Sequence, residues 1–124
     1  MLKLCPNISL IIALLAAANH ALASGDPERG QSLYQSRCAS CHSIEYNGVG
    51  PAHKALYGRK AGSAPDYAYS RALQHATVVW REKTLDKWLA APEKLIPGQK
   101  MGFAVPDAKD RADVIAYLKK VATP

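Results

Sequence analysis

The sequence predicts a small all-α domain with one helix near each end, a helix in the middle and long loops. Three segments carry helix caps and helical apolar spacing, strand patterns are nearly absent, and turn residues are dense. The 124 residues suit one domain, and an apolar content of 48% excludes a disordered chain. Because the loops are long and aromatic residues are few (six Tyr, two Trp, one Phe), we expect a cofactor to complete the core.

The first 23 residues are typical of a secretory signal peptide. Lys3 supplies the positive start, residues 8–18 form an apolar run broken only by Ser9, and a small-x-small cleavage site ends at Ala23. We expect cleavage there, which leaves a domain of residues 24–124 and lowers the formal charge from +6 by the one charge of Lys3. The alternative is an uncleaved anchor, but the run is short for a membrane span.

The first helix is predicted from about Pro27 to Arg37. Asp26 is a good N-cap, Pro27 suits the first helical position, and Glu28 complements the positive end of the helix. A shorter helical turn is expected at Ser70–His75.

The middle helix is predicted from about Leu85 to Ala90. Thr84 is its expected N-cap, Trp88 shares the apolar face with both leucines of the segment, and Pro92 ends it.

The last helix is predicted from about Ala108 to Ala122, with Asp107 as its cap and lysines near its negative end. Its expected apolar stripe consists of Val114, Ile115, Leu118 and Val121.

Residues 38–42 (Cys-Ala-Ser-Cys-His) match the C-x-x-C-H pattern of c-type haem attachment. Cys38 and Cys41 lie on one turn and can each add to a haem vinyl group, while the adjacent His42 can bind the iron. A disulfide oxidoreductase is one alternative, but its cysteines begin a helix that follows a strand, and here they follow a helix. A zinc site is another, but it needs further ligands, and only His53 and His75 remain.

Met101 is the only methionine of residues 24–124, and it lies in a loop between Pro97-Gly98 and Gly102. A lone methionine is usually core filler. Here the small flanking residues allow the backbone to approach a haem, and a neutral thioether favours ferrous iron and raises the reduction potential. We therefore predict Met101 as the second axial ligand.

Further segments accompany these motifs: Gly30 with Leu33-Tyr34, Gly50-Pro51, 58–62 (Gly-Arg-Lys-Ala-Gly), Trp80, Leu89, 96–101 and 115–120 (Ile-Ala-Tyr-Leu-Lys-Lys). With them, Gly25–Val121 resembles a small single-haem class I c-type cytochrome of the mitochondrial and alphaproteobacterial type. The resemblance implies the cytochrome c fold, in which crossed N- and C-terminal helices, a middle helix and long loops wrap around one covalent haem c. It also implies that these helices cross at Gly30 and that Tyr34 stacks on Tyr117.

The resemblance assigns roles around the haem. The Pro51 carbonyl accepts the proton of the second His42 nitrogen, and Arg59, Tyr69 and Trp80 donate to the two propionates. The implied haem-binding set is Cys38, Cys41, His42, Pro51, Arg59, Tyr69, Trp80 and Met101, with His42 and Met101 on the iron.

Four residues depart from the mitochondrial pattern. Trp88 replaces a tyrosine that lies near the methionine sulfur, and Gln99 replaces a threonine that contacts a propionate. Leu73 replaces an asparagine of a buried water network, and His53 replaces a leucine beside the haem. The loop between His42 and Gly50 is also a few residues shorter. Each departure can shift the potential or the strength of the methionine–iron bond.

With both axial positions filled, the iron has no vacant site, so we expect an electron carrier and not an enzyme. We expect a soluble periplasmic monomer that binds no nucleic acid, has no stable membrane insertion, and shuttles electrons between a dehydrogenase or membrane complex and an oxidase or reductase. The alternatives are a weak peroxidase, if Met101 dissociates, and a thiol redox or metal-binding module without haem.

Basic residues are expected to form a positive collar around the exposed haem edge and to steer acidic partners toward it. They are Arg37, Lys54, Lys60, Lys83, Lys87, Lys94 and Lys100. The alternative is a generally solvated surface, since acidic residues are interspersed.

Overall fold

Five helices and one isolated β-bridge make up the regular structure of residues 24–124, the part of the chain that this computed structural model describes. The helices are α1 (Pro27–Arg37), α2 (Arg71–Gln74), α3 (Glu82–Ala90), α4 (Pro92–Leu95) and α5 (Ala108–Val121). The bridge pairs Lys60 with Val79 in antiparallel orientation. The all-α prediction is confirmed, whereas the predicted signal peptide, 1–23, lies outside the described residues.

The first helix has the predicted bounds because its cap works as expected. The Asp26 carboxylate accepts hydrogen bonds from the amides of Glu28 (2.9 Å) and Arg29 (3.1 Å), which have no partner within the helix. The short turn at Ser70–His75 is also present, as α2, and Ser70 caps it.

The last helix begins as predicted but ends one residue early. Asp107 caps α5 through the Asp110 amide (2.9 Å), and the helix ends at Val121 with Ala122 as C-cap. The predicted apolar stripe is wrong at its last member: Val121 is 38% exposed, while Ala122 is 1% exposed and fills the core instead.

The middle helix differs most from its prediction. It begins at Glu82 and not near Leu85, because Thr84 acts from the third helical position: its hydroxyl accepts the Arg81 amide (2.8 Å) and donates to the Val79 carbonyl (2.6 Å). Pro92 ends this helix as predicted, but it also begins α4, which the sequence analysis missed. Proline is well suited to a first helical position.

The terminal helices cross at Gly30. A Cβ atom at this position would lie 1.9 Å from the Asp113 carbonyl oxygen on α5, so only glycine permits this approach. Tyr34, one turn later, packs against Tyr117 with ring centroids 5.3 Å apart and planes at 55°. The predicted crossing is therefore present.

A charged cluster joins the same two helices. Asp113 is 2% exposed, and its carboxylate accepts hydrogen bonds from the Asp26 amide (2.8 Å), the Lys109 ammonium and the Arg29 guanidinium. Burial raises the pKa of Asp113, but these donors outweigh burial and hold the pKa at about 2. Arg29 also pairs with Asp110, so one guanidinium ties α1 to two carboxylates of α5.

Helix α5 packs on both α1 and α3, and α4 packs on α3. No helix within residues 24–124 is long and apolar enough to cross a membrane. The buried core consists of Leu33, Tyr34, Leu56, Ala61, Leu73, Trp80, Leu85, Leu89, Ile96, Val105, Val114, Ile115, Leu118 and Ala122.

We expect Gly30→Ala to lower the free energy of unfolding by about 1–3 kcal/mol, because the added methyl group forces two backbones apart. This range is the net change, after the roughly 1 kcal/mol that alanine gains in helix propensity has offset part of the strain. Urea denaturation of the purified protein measures the change. Gln31→Ala is the control, since Gln31 is an exposed residue of the same helix. A Gly30→Ala protein as stable as the wild type would contradict the close crossing.

Candidate functional site

A cavity of about 930 Å³ lies between the helices and the long loops. Its lining includes apolar core residues from α3 and α5, such as Leu85, Leu89 and Leu118. The structure brings all eight sequence-predicted site residues to its wall: Cys38, Cys41, His42, Pro51, Arg59, Tyr69, Trp80 and Met101.

Three of the four departures noted in the sequence, His53, Leu73 and Trp88, also line this cavity. Gln99 does not, and its side-chain amide instead donates to a Glu93 carboxylate oxygen at 3.2 Å. The reason is the short helix α4, which the sequence analysis missed and which brings Glu93 close to Gln99.

The two cysteines occupy a tight turn at the end of α1. Cys38 is the C-cap residue of that helix, and its carbonyl accepts the amides of both Cys41 (3.0 Å) and His42 (2.8 Å). Burial raises the pKa of the Cys38 thiol to about 11, which disfavours the thiolate that disulfide exchange requires. Nor do the described residues contain a group of three or more His, Cys, Asp or Glu side chains that could hold a metal ion.

His42 is oriented by the segment Gly50-Pro51. Its Nδ1 lies 2.9 Å from the Pro51 carbonyl oxygen, which can only accept, so Nδ1 carries the proton and Nε2 keeps a lone pair. Burial lowers the pKa of His42, although the bond to Pro51 opposes that shift. A Cβ at Gly50 would lie 2.2 Å from the His42 Cε1 atom, so the ring position depends on glycine there.

The half-buried His53 and the buried Tyr34 form a polar pair beside His42. The His53 ring stacks on the His42 ring with centroids 4.1 Å apart and planes at 23°, and its Nδ1 lies 2.9 Å from the Tyr34 hydroxyl. Burial lowers the pKa of His53 to about 3, so this ring is neutral at physiological pH. The sequence analysis noted His53 but missed its partner, because the two residues lie on different segments and no local pattern links them.

Polar donors cluster on another part of the wall. Arg59 donates through its terminal nitrogens to the carbonyls of Lys54 (2.6 Å) and Ala52 (3.1 Å), and its Nε is buried with no partner among the described residues. The Tyr69 hydroxyl accepts the Ala64 amide at 2.9 Å, so its own proton remains available to an acceptor. An orphaned cationic donor beside a hydroxyl fits carboxylate groups of a bound molecule.

The donor set and the shape of the cavity together fit a haem. The thiols of Cys38 and Cys41, the unprotonated His42 Nε2 and the Met101 sulfur belong to residues of one largely apolar cavity. The available donors of Arg59 and Tyr69 fit the carboxylate groups of a haem. The family model for cytochrome c matches residues 27–122.

This chain belongs to the cytochrome c family. It is a class I c-type cytochrome, as the resemblance implied.

Relatives align over most of their own length. The chain is 48% identical over 98 residues to a cytochrome c from Euglena viridis, which covers 77% of this chain and 96% of that protein. It is 40% identical over 116 residues to a cytochrome c2 from Rhodomicrobium vannielii, and this alignment covers 90% of this chain and 92% of that protein. The solved structure of cytochrome cH from Methylobacterium extorquens matches with a TM-score of 0.74 and 44% sequence identity. The match covers 77% of this chain and 99% of that protein.

Membership settles the cofactor and the general activity of this cytochrome. The family carries haem c bound covalently through cysteines, which are Cys38 and Cys41 here, and it consists of electron carriers and not of enzymes. The cofactor prediction is confirmed, and the chain exchanges electrons with redox partners.

We expect the double variant Cys38→Ser and Cys41→Ser to yield unfolded or degraded apoprotein, because the haem supplies a large part of the core. Haem staining after denaturing electrophoresis should lose its band, and circular dichroism should show loss of helix. The matched control is Ser36→Ala and Ser40→Ala on the same segment, which keeps both thiols. A well-folded double cysteine variant without haem would contradict the dependence of the fold on the cofactor.

Proposed function

We propose that this cytochrome is an exported one-electron carrier whose iron is bound by His42 and Met101. The observation that carries the proposal is the hydrogen bond from His42 Nδ1 to the Pro51 carbonyl (2.9 Å). It directs the lone pair of Nε2 toward metal binding, and Met101 belongs to the same cavity wall.

The bound haem c supplies an iron centre that gains and loses one electron. His42 contributes a neutral imidazole, and its bond to Pro51 raises the basicity of the ligating nitrogen. Met101 contributes a soft, neutral sulfur that favours the reduced state. With both residues bound to the iron, no site would remain for oxygen or peroxide, so electron exchange with a partner would be the remaining chemistry.

Arg59, Tyr69 and Trp80 hold the propionates in this proposal. Two carboxylates in a largely apolar cavity need donors, because an unpaired buried charge is costly. Arg59 supplies a permanent positive charge and a buried Nε that lacks a partner among the described residues. Tyr69 supplies the hydroxyl proton that its bond to the Ala64 amide leaves available.

The proposed partners are redox proteins with acidic faces: a dehydrogenase or membrane complex as donor, and an oxidase or reductase as acceptor. Of the residues predicted for the collar, Arg37 and Lys100 line the cavity. The collar is weakened in two places, since Arg37 pairs with Asp110 (2.9 Å) and Lys54 with Glu45 (3.6 Å). A collar with internal pairs suits brief, salt-sensitive encounters of a monomer.

The proposed location is the periplasm. Support comes from residues 1–23, outside the described structure, which have the charged start, apolar run and small-x-small site of a signal peptide. Haem attachment then follows export.

We expect the haem protein to be recovered from the periplasmic fraction with Ser24 as its first residue, because cleavage follows Ala23. N-terminal sequencing and intact mass measure this. Ala23→Arg should block cleavage and retain the first 23 residues, whereas Ser24→Ala, on the other side of the bond, should be cleaved normally. Cytoplasmic haem protein that keeps its first 23 residues would contradict export.

We expect Met101→Ala to lower the reduction potential by about 0.1–0.3 V, within the roughly 0.8 V range that axial ligands set. The variant should also bind carbon monoxide when reduced and cyanide when oxidised, because one axial position opens. Redox titration with absorbance spectra measures both effects, and Phe103→Leu, another cavity-lining change, is the control. An unchanged potential would refute Met101 as ligand. If the wild type also lacks the red thioether-to-iron charge-transfer band at neutral pH, the peroxidase alternative gains.

A further inference from the structure

The segment that carries Met101 is anchored to the core at its two ends. Ile96 is 6% exposed and Val105 is 1% exposed, and the Val105 amide donates to the Leu89 carbonyl on α3 at 2.7 Å. Between these anchors, residues 100–104 form part of the cavity wall. The segment includes two glycines, Gly98 and Gly102, which widen the range of backbone conformations open to it.

One carboxylate provides most of the hydrogen bonding within this segment. Glu93 on α4 accepts the Gly98 amide at 2.8 Å through one oxygen and the side-chain amide of Gln99 at 3.2 Å through the other. In the described part of the chain, the hydrogen bonds of residues 97–104 all involve Gly98 or Gln99. The only other is the bond from the Gln99 backbone amide to the Ile96 carbonyl (3.2 Å).

The helix that carries Glu93 is itself well anchored. Pro92, its first residue, is buried, and the Ile96 amide closes the helix on the Pro92 carbonyl at 3.0 Å. Glu93 therefore connects a fixed helix to a segment with few other restraints. The connection lies two residues before Met101.

The orientation of the Gln99 side chain depends on the same carboxylate. Its amide nitrogen faces Glu93, and its Oε1 is buried with no partner among the described residues. Turning the amide over would bring that oxygen against the negative charge of Glu93. The carboxylate thus stabilises one arrangement of both Gly98 and Gln99.

We propose that Glu93 is a positioning residue for Met101: it ties residues 98–99 to α4 and so limits how often the thioether sulfur leaves the iron. This inference rests on the ligation of iron by Met101 that is proposed above. Glu93 would then control whether the iron keeps both ligands, as an electron carrier needs, or becomes accessible to other ligands.

The test compares Glu93→Ala and Glu93→Gln with Glu82→Ala in the oxidised haem protein. Glu82 lies in the first turn of α3, has the same charge, and makes no hydrogen bond to residues 97–104 in the described structure. Two quantities are measured: hydrogen exchange of the Gly98 amide by NMR, and the limiting rate at which imidazole, a neutral ligand, displaces Met101 and bleaches the charge-transfer band.

We expect Glu93→Ala to raise both rates about tenfold, because two hydrogen bonds to a charged acceptor are lost at a largely exposed site. Glu93→Gln should fall between wild type and Glu93→Ala, since its amide offers a single acceptor oxygen. Glu82→Ala should stay within about twofold of wild type.

The remaining outcomes separate this inference from the proposal on which it rests. Unchanged Gly98 exchange in Glu93→Ala would overturn the tie between Glu93 and the segment. Faster exchange with an unchanged imidazole rate would overturn its control of Met101, and so would an equal effect of Glu82→Ala. If imidazole binds the wild type as fast as it binds Met101→Ala, the ligation by Met101 fails, and the inference fails with it.

Discussion

The domain encloses a space that its own side chains do not fill, and most of its architecture depends on that space. Leu56, Leu73, Leu85 and Leu118 belong both to the buried core and to the cavity wall. Each of these residues therefore contacts the cavity as well as other side chains, and a large apolar cofactor completes its surroundings. Covalent attachment through Cys38 and Cys41 keeps that cofactor in place even when the surrounding structure loosens.

Two glycines set the positions of the helix crossing and of the His42 ring. Gly30 lets α1 approach the backbone of α5, and Cys38 caps the end of the same helix. The helix crossing thus fixes where the attachment turn begins. Gly50 then leaves room for the His42 ring, whose Nδ1 is held by the neighbouring Pro51 carbonyl. Absent side chains, as much as present ones, determine where the imidazole lies.

His42 and Met101, the proposed ligands of the iron, are restrained very differently. His42 is held by a backbone carbonyl and by the stacked ring of His53, which Tyr34 orients through a hydrogen bond. Met101 lies in a glycine-containing segment whose hydrogen bonds end largely on the single side chain of Glu93. If both residues bind the iron as proposed, ligand exchange would begin on the Met101 side, because the restraint there is weaker.

Local signals in the sequence were enough for the attachment motif, the bounds of α1, the start of α5 and the family, because each depends on residues that are close along the chain. They failed for the start of α3, where Thr84 bonds back to Val79, and for α4, where a proline both ends one helix and begins the next. They also could not pair Tyr34 with His53 or Glu93 with Gly98 and Gln99. Which polar groups share a buried space is decided by packing between distant segments, and no short-range pattern records it.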